Sequence, residues 1–67
     1  MEYIKAIKDL VKQNSCYDFN EDNFLISSKS THTSSSIIRE LVTITSALTK
    51  LNIRFIVIDE FNIQLEK

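Results

Sequence analysis

Hydrophobic and polar residues repeat along the chain with two different periods, which predict helices and strands in separate segments. Residues 2–14 carry an apolar stripe at helical spacing with lysines on the opposite side: Tyr3, Ile4, Ile7, Leu10 and Val11. Residues 36–51 carry a second stripe of the same kind: Ile37, Leu41, Ile44, Leu48 and Leu51. Asn14, at the end of the first segment, and Asn52, directly after the second, are typical helix stops.

The remaining apolar segments are short, and apolar and polar residues alternate along parts of them, which is typical of strands. Residues 16–28 predict a hairpin whose polar turn is Asn20-Glu21-Asp22-Asn23. Residues 53–66 predict two further strands joined at Asp59-Glu60, with one continuous bent strand as the alternative. We therefore expect a small α+β fold in the order α-β-β-α-β-β. An antiparallel sheet and two amphipathic helices would form a single domain over residues 1–67.

Serine and threonine occupy eight of the ten positions from 27 to 36. Such residues favour loops and helix N-caps, so this segment is expected to end by capping the second helix at residues 34–36. The backbone N–H groups at that helix start, with Lys29 nearby, would also suit an anion, and the sequence leaves both interpretations open. His32 lies in the same segment without an orienting partner, which predicts a surface histidine.

The chain has 67 residues, without glycine or proline. This composition excludes a P-loop and a GxGxxG turn, and it predicts that any positive φ falls on asparagine or aspartate. A single cysteine, Cys16, excludes an internal disulfide. No cluster of positive charge adjoins Cys16, so we expect a small buried hydrophobe instead of a reactive thiol.

The charge pattern argues against several classes of function. The formal net charge is −1, so the chain is neither strongly basic, which would indicate nucleic-acid binding, nor strongly acidic, which would indicate a mimic of nucleic acid. The segment starting at Asp18 resembles a calcium loop at its first, third and fifth positions, but Lys29 replaces the bidentate glutamate at the twelfth. Charged residues near the start and the short apolar run at 55–58 predict no signal peptide and no membrane span. We expect a cytoplasmic protein that is not an enzyme and has no metal or cofactor.

The apolar residues at 53–66 exceed what one small core readily covers. With Asp59-Glu60 as the turn, Phe55 and Val57 would point to the face beside Asn62 and Gln64, while Ile56 and Ile58 would share a face with Phe61, Ile63 and Leu65. On the second helix, Ile38 and Val42 lie off the centre of the stripe. The predicted partner-binding residues are therefore Phe55, Val57, Ile38 and Val42. A core closed within the monomer is an equally weighted alternative.

These features favour a non-enzymatic protein-binding module that acts as an inhibitor, adaptor or accessory subunit. A homodimer is one expected assembly, and the composition rich in isoleucine and lysine suits a phage or mobile-element protein. The alternative is a nucleic-acid-binding regulator that uses the basic side of the first helix, formed by Lys5, Lys8 and Lys12.

Overall fold

The computed structural model describes residues 3–66, which form two helices and four strands. In chain order these are α1 (Tyr3–Lys12), β1 (Tyr17–Asn20), β2 (Leu25–Ser28), α2 (Ser35–Lys50), β3 (Phe55–Asp59) and β4 (Asn62–Leu65). The strands form an antiparallel sheet in the order β1-β2-β4-β3. The predicted α+β class and element order are confirmed. Neither helix has the length and apolar content that crossing a bilayer requires.

Helix α2 is bounded by local interactions at both ends. The side-chain oxygen of Ser34, the N-cap, accepts a hydrogen bond from the Ile37 N–H group at 3.3 Å, as the serine-rich segment predicts. At the other end, Asn52 adopts a φ of 58°, and the N–H of Ile53 donates to the carbonyl of Leu48 at 3.0 Å. This is the Schellman arrangement, which turns the chain out of the helix and toward β3.

Helix α1 ends by a different mechanism, although an asparagine again follows it. Asn14 is buried, and its side-chain amide donates to the carbonyl oxygen of Leu10 at 2.8 Å. The side chain thus supplies a donor to one of the last helical carbonyls, which lack partners within the helix. Both asparagines stop a helix, as predicted.

The core lies between the two helices and one face of the sheet. Its buried apolar side chains come from every helix and strand except β3: Ile7, Val11, Tyr17, Ile26, Ile37, Ile44, Leu48, Ile53, Ile63 and Leu65. Phe55 is the residue of β3 that packs against this cluster, and it is half-buried. The β3 side of the domain therefore contributes fewer buried apolar side chains to the core than the rest of the fold.

The β3–β4 hairpin differs from the prediction in its pairing. Phe55 pairs with Leu65 and Val57 with Ile63, but Asp59 pairs with Asn62, which leaves Ile58 as the extra residue of a β-bulge. The predicted faces of β3 are therefore wrong. Phe55 and Val57 lie on the same face as the core residues of β4, whereas Ile56 lies opposite Gln64 on the other face.

The cause of this error is the bulge. The turn lies at residues 60–61, one position later than predicted. On its own, this shift would leave every β3 side chain on its predicted face, so it does not explain the error. One additional residue in a strand reverses every side chain beyond it, because the side-chain period is two. The Asp59 carboxylate fixes the turn by accepting hydrogen bonds from the Phe61 N–H at 2.8 Å and the Asn62 amide at 3.1 Å.

Positive φ occurs at Asn52, as predicted, but also at Phe24, where the prediction is wrong. Phe24 has a φ of 52°, a region that costs about 1–2 kcal/mol for a residue with a bulky side chain. Tertiary contacts offset this cost. The Phe24 carbonyl accepts a hydrogen bond from the Leu65 N–H at 2.8 Å, and its ring lies 6.2 Å from that of Phe19.

Candidate functional site

The most exposed apolar segment in residues 3–66 is β3, an edge strand of the sheet. Ile56 is 69% exposed, Val57 43% and Ile58 58%. Val57 lies on the core face, so its exposure shows that α2 does not cover this part of the sheet. Phe55 differs, because it is half-buried and packs against the core.

Two further exposed apolar residues, Ile38 and Val42, lie on α2. Glu40, midway between them, accepts a hydrogen bond from the Cys16 N–H at 2.9 Å, so its side of α2 faces the connection between α1 and β1. Each residue of an α-helix turns about 100°, which places Ile38 and Val42 roughly opposite Glu40. They therefore face away from α1.

The position of Thr49 shows which part of the fold Ile38 and Val42 face. Val42 and Thr49 are seven residues apart, so they lie on the same side of α2. Thr49 and Phe55 both line an open groove of about 590 Å³ between the end of α2 and the start of β3. The end of this side of α2 therefore adjoins the start of β3.

We call the five exposed apolar residues the β3 patch: Ile38 and Val42 on α2, Val57 on the core face of β3, Ile56 on the opposite face and Ile58 at the bulge. Three of the four residues predicted to bind a partner belong to it, and Phe55 lines the adjacent groove. The sequence prediction missed Ile56 and Ile58, which it placed on the core face. The signal that would have found them is the bulge, and its position depends on pairing with β4.

The basic residues of the alternative hypothesis lie on the exposed side of α1. Lys8 and Lys12 line a groove of about 240 Å³ beside β1, which Lys29 joins from the end of β2. Lys8 forms an ion pair with Glu21, and Lys29 lies 3.7 Å from Asp18. These carboxylates reduce the positive field of the groove.

Cys16 is half-buried in the turn immediately before β1 and packs against the core cluster. Its hydrogen bond to Glu40, followed by desolvation and the charge of the same carboxylate, raises the pKa of the Cys16 thiol. A raised pKa keeps the thiol protonated at neutral pH, and the protonated form is a poor nucleophile. Its surroundings therefore favour packing over reactivity.

The polar side chains of the described segment, residues 3–66, include no group of three or more His, Cys, Asp or Glu residues placed to hold a metal ion. His32 is exposed in the serine-rich segment, where its backbone N–H donates to the side chain of Ser30 at 3.1 Å. Comparison with protein-family models, curated proteins and solved structures finds no significant match.

Proposed function

We propose that this chain is a non-enzymatic protein-binding module and that the β3 patch is its docking surface. The observation that carries the proposal is the run of three consecutive exposed apolar residues on an edge strand, Ile56 to Ile58. Apolar side chains left exposed on both faces of an unpaired edge strand mark a site where another strand can add. Roles as an inhibitor, an adaptor or an accessory subunit all require such a surface and no catalytic group.

The two edges of the sheet differ in a way that supports β3 as the docking edge. On β1, the Tyr17 N–H donates to the carbonyl of Asn14 at 3.1 Å, so the start of that edge is already occupied. Asp18 and Asn20 are exposed polar residues on the same strand, and charged or polar side chains discourage strand pairing. The exposed residues of β3 are apolar instead, apart from the terminal Asp59.

The surface suits β-augmentation, in which a partner strand extends an existing sheet. In that mode the backbone groups of the edge strand supply hydrogen bonds, and side chains beside the edge supply specificity. Ile38 and Val42 would supply apolar contacts above the added strand, since they lie on the side of α2 whose end adjoins the start of β3.

The test compares two lysine substitutions on neighbouring exposed residues of α2. Val42→Lys places a charge in the β3 patch, whereas Thr43→Lys places the same charge about 100° away on the same helix. A tagged chain is co-expressed with an untagged copy in its native host and recovered with its bound proteins, which mass spectrometry quantifies. We expect Val42→Lys to lower partner recovery about tenfold, equivalent to ~1.4 kcal/mol, and Thr43→Lys to leave it unchanged.

The proposal is overturned if no protein, including the untagged copy, is recovered with the chain, or if Val42→Lys changes nothing while circular dichroism shows that it is folded. Nucleic-acid binding through Lys5, Lys8 and Lys12 is the competing outcome. It predicts binding to a labelled DNA duplex that weakens steeply with added salt and is lost in Lys12→Glu but retained in Val42→Lys.

A further inference from the structure

We propose that the occupant of the β3 patch is a second copy of this chain, paired antiparallel through β3 about a two-fold axis at Val57. This inference rests on the proposed function and names the partner. It follows from the direction of the β3 backbone groups, the order of charges along the strand, and the position of the exposed side of α2.

The hydrogen bond between Glu66 N–H and the Arg54 carbonyl, 3.0 Å long, fixes the direction of the backbone groups of β3. It continues the register in which Ile56 pairs with Gln64, and hydrogen-bonded pairs alternate along an antiparallel ladder. Arg54 and Ile56 therefore direct their N–H and C=O groups to β4. Phe55 and Val57 direct theirs to the open edge.

Antiparallel pairing centred on Val57 uses these outward groups. The N–H of each Val57 would donate to the carbonyl of Val57 in the other copy, which gives two hydrogen bonds at the two-fold axis. Phe55 and Ile56 of each copy would lie alongside the bulge at Ile58 and Asp59 of the other. An interface of this type uses the same surface on both copies.

The charges at the two ends of β3 complement each other in this arrangement. Arg54 precedes the strand, and Asp59 and Glu60 follow its apolar residues. Within residues 3–66, the guanidinium of Arg54 forms no ion pair. Because antiparallel pairing brings opposite ends together, Arg54 of each copy would lie near Asp59 and Glu60 of the other, where the Glu60 carboxylate also accepts a hydrogen bond from the Thr33 hydroxyl at 3.1 Å. Parallel pairing would instead place like charges side by side.

The α2 side of the patch would be covered by the same pairing. A two-fold axis perpendicular to a continuous sheet keeps the helices of both copies on one face. Ile38 and Val42 would then meet their counterparts above the two Val57 side chains. On the opposite face, Ile56 and Ile58 would pack across the junction. One partner thus covers all five residues of the β3 patch.

Analytical ultracentrifugation from micromolar to millimolar concentration tests the proposal. The unaltered chain is expected to reach twice its single-chain mass of 7.8 kDa. Val57→Pro removes an outward N–H and leaves the β3–β4 hydrogen bonds intact, so it should abolish the dimer without unfolding the monomer. Thr43→Lys, about 100° around α2 from Val42, should leave the dimer unchanged.

A charge exchange decides the register and does not depend on the proline variant folding. Arg54→Glu and Glu60→Arg are each expected to weaken self-association roughly tenfold, because two attractive pairs per dimer become repulsive. Combining both substitutions restores opposite charges across the axis and should restore the dimer.

Three results would overturn the second copy as partner: a monomer at every concentration, a dimer that persists in folded Val57→Pro, or a charge exchange that fails to restore association. The proposed function is judged separately. If Val42→Lys abolishes recovery of a different protein while the chain stays monomeric, the docking surface stands and the second copy does not.

Discussion

The hydroxyl of Tyr17 donates a hydrogen bond to the backbone carbonyl oxygen of Glu60 at 2.6 Å. It also lies 3.3 Å from the carbonyl oxygen of Ile37, in the first turn of α2. This one side chain therefore joins the first strand to the β3–β4 turn and to the start of the second helix. It holds the end of β3 that carries Asp59 in place.

Removing this hydroxyl should destabilise the fold. Tyr17→Phe leaves the buried ring in place but deprives the carbonyl of Glu60 of its donor, and we expect a loss of about 1–3 kcal/mol. Urea denaturation followed by circular dichroism measures the difference. Tyr3→Phe is the matched control, because Tyr3 is 44% exposed and its substitution should change stability little. Equal effects of the two substitutions would contradict this role.

Tyr17 should also make stability depend on alkaline pH. Burial is the main cause that raises the pKa of Tyr17 above 10.0. The unfolded chain ionises at the ordinary pKa, so the stabilisation is fully present below about pH 10 and is lost as the pH rises toward the folded-state pKa. The free energy of unfolding of the unaltered chain should fall more steeply than that of Tyr17→Phe above this pH. Parallel curves would argue against a buried, protonated hydroxyl.

The Cys16 thiol should react slowly while Glu40 is charged. Glu40→Gln removes the charge and the carboxylate acceptor that raise the pKa of Cys16, so alkylation by iodoacetamide should accelerate roughly severalfold, in proportion to the thiolate fraction. Glu21→Gln, which removes an exposed carboxylate in the β1–β2 turn, provides the control. A rate that Glu40→Gln leaves unchanged would show that access, not the pKa, limits the reaction.

Asn52 should tolerate glycine better than alanine. Its φ of 58° is favourable for glycine and unfavourable for a residue with a Cβ atom. We expect Asn52→Ala to cost about 1 kcal/mol and Asn52→Gly to be neutral within a few tenths. Thermal unfolding of both variants measures the difference. The reverse order would mean that the asparagine side chain, and not the backbone angle, ends α2.

Local patterns predicted much of this fold. The two apolar stripes, the serine N-cap and the helix-ending asparagines act through neighbours within a few residues, so the sequence displays them directly. The exposure of Ile38 and Val42 was predictable for the same reason, because their angle from the centre of the stripe follows from helical geometry.

Features that depend on distant partners were not predictable in this way. The bulge at Ile58 exists because β4 pairs with both sides of it, and its effect reverses the faces of Phe55 and Val57. Phe24 tolerates its unfavourable φ because Leu65 and Phe19 hold it, and both lie outside its own turn. Half-burial of Phe55 depends on where α2 ends above the sheet.

The irregularity at Ile58 has a consequence for how far strands can add to this protein. Because the bulge kinks β3, only a short part of this edge strand can form a regular ladder of backbone hydrogen bonds with another strand. This limits the pairing of β3 with further chains. Deleting Ile58 would make the Val57–Ile63 and Asp59–Asn62 pairs consecutive and give a longer, flatter border. We expect that deletion variant to form a tighter dimer than the natural chain in analytical ultracentrifugation, because more backbone groups of the straightened β3 would align with the second copy. An unchanged or weaker dimer would show that the extra residue does not limit strand pairing.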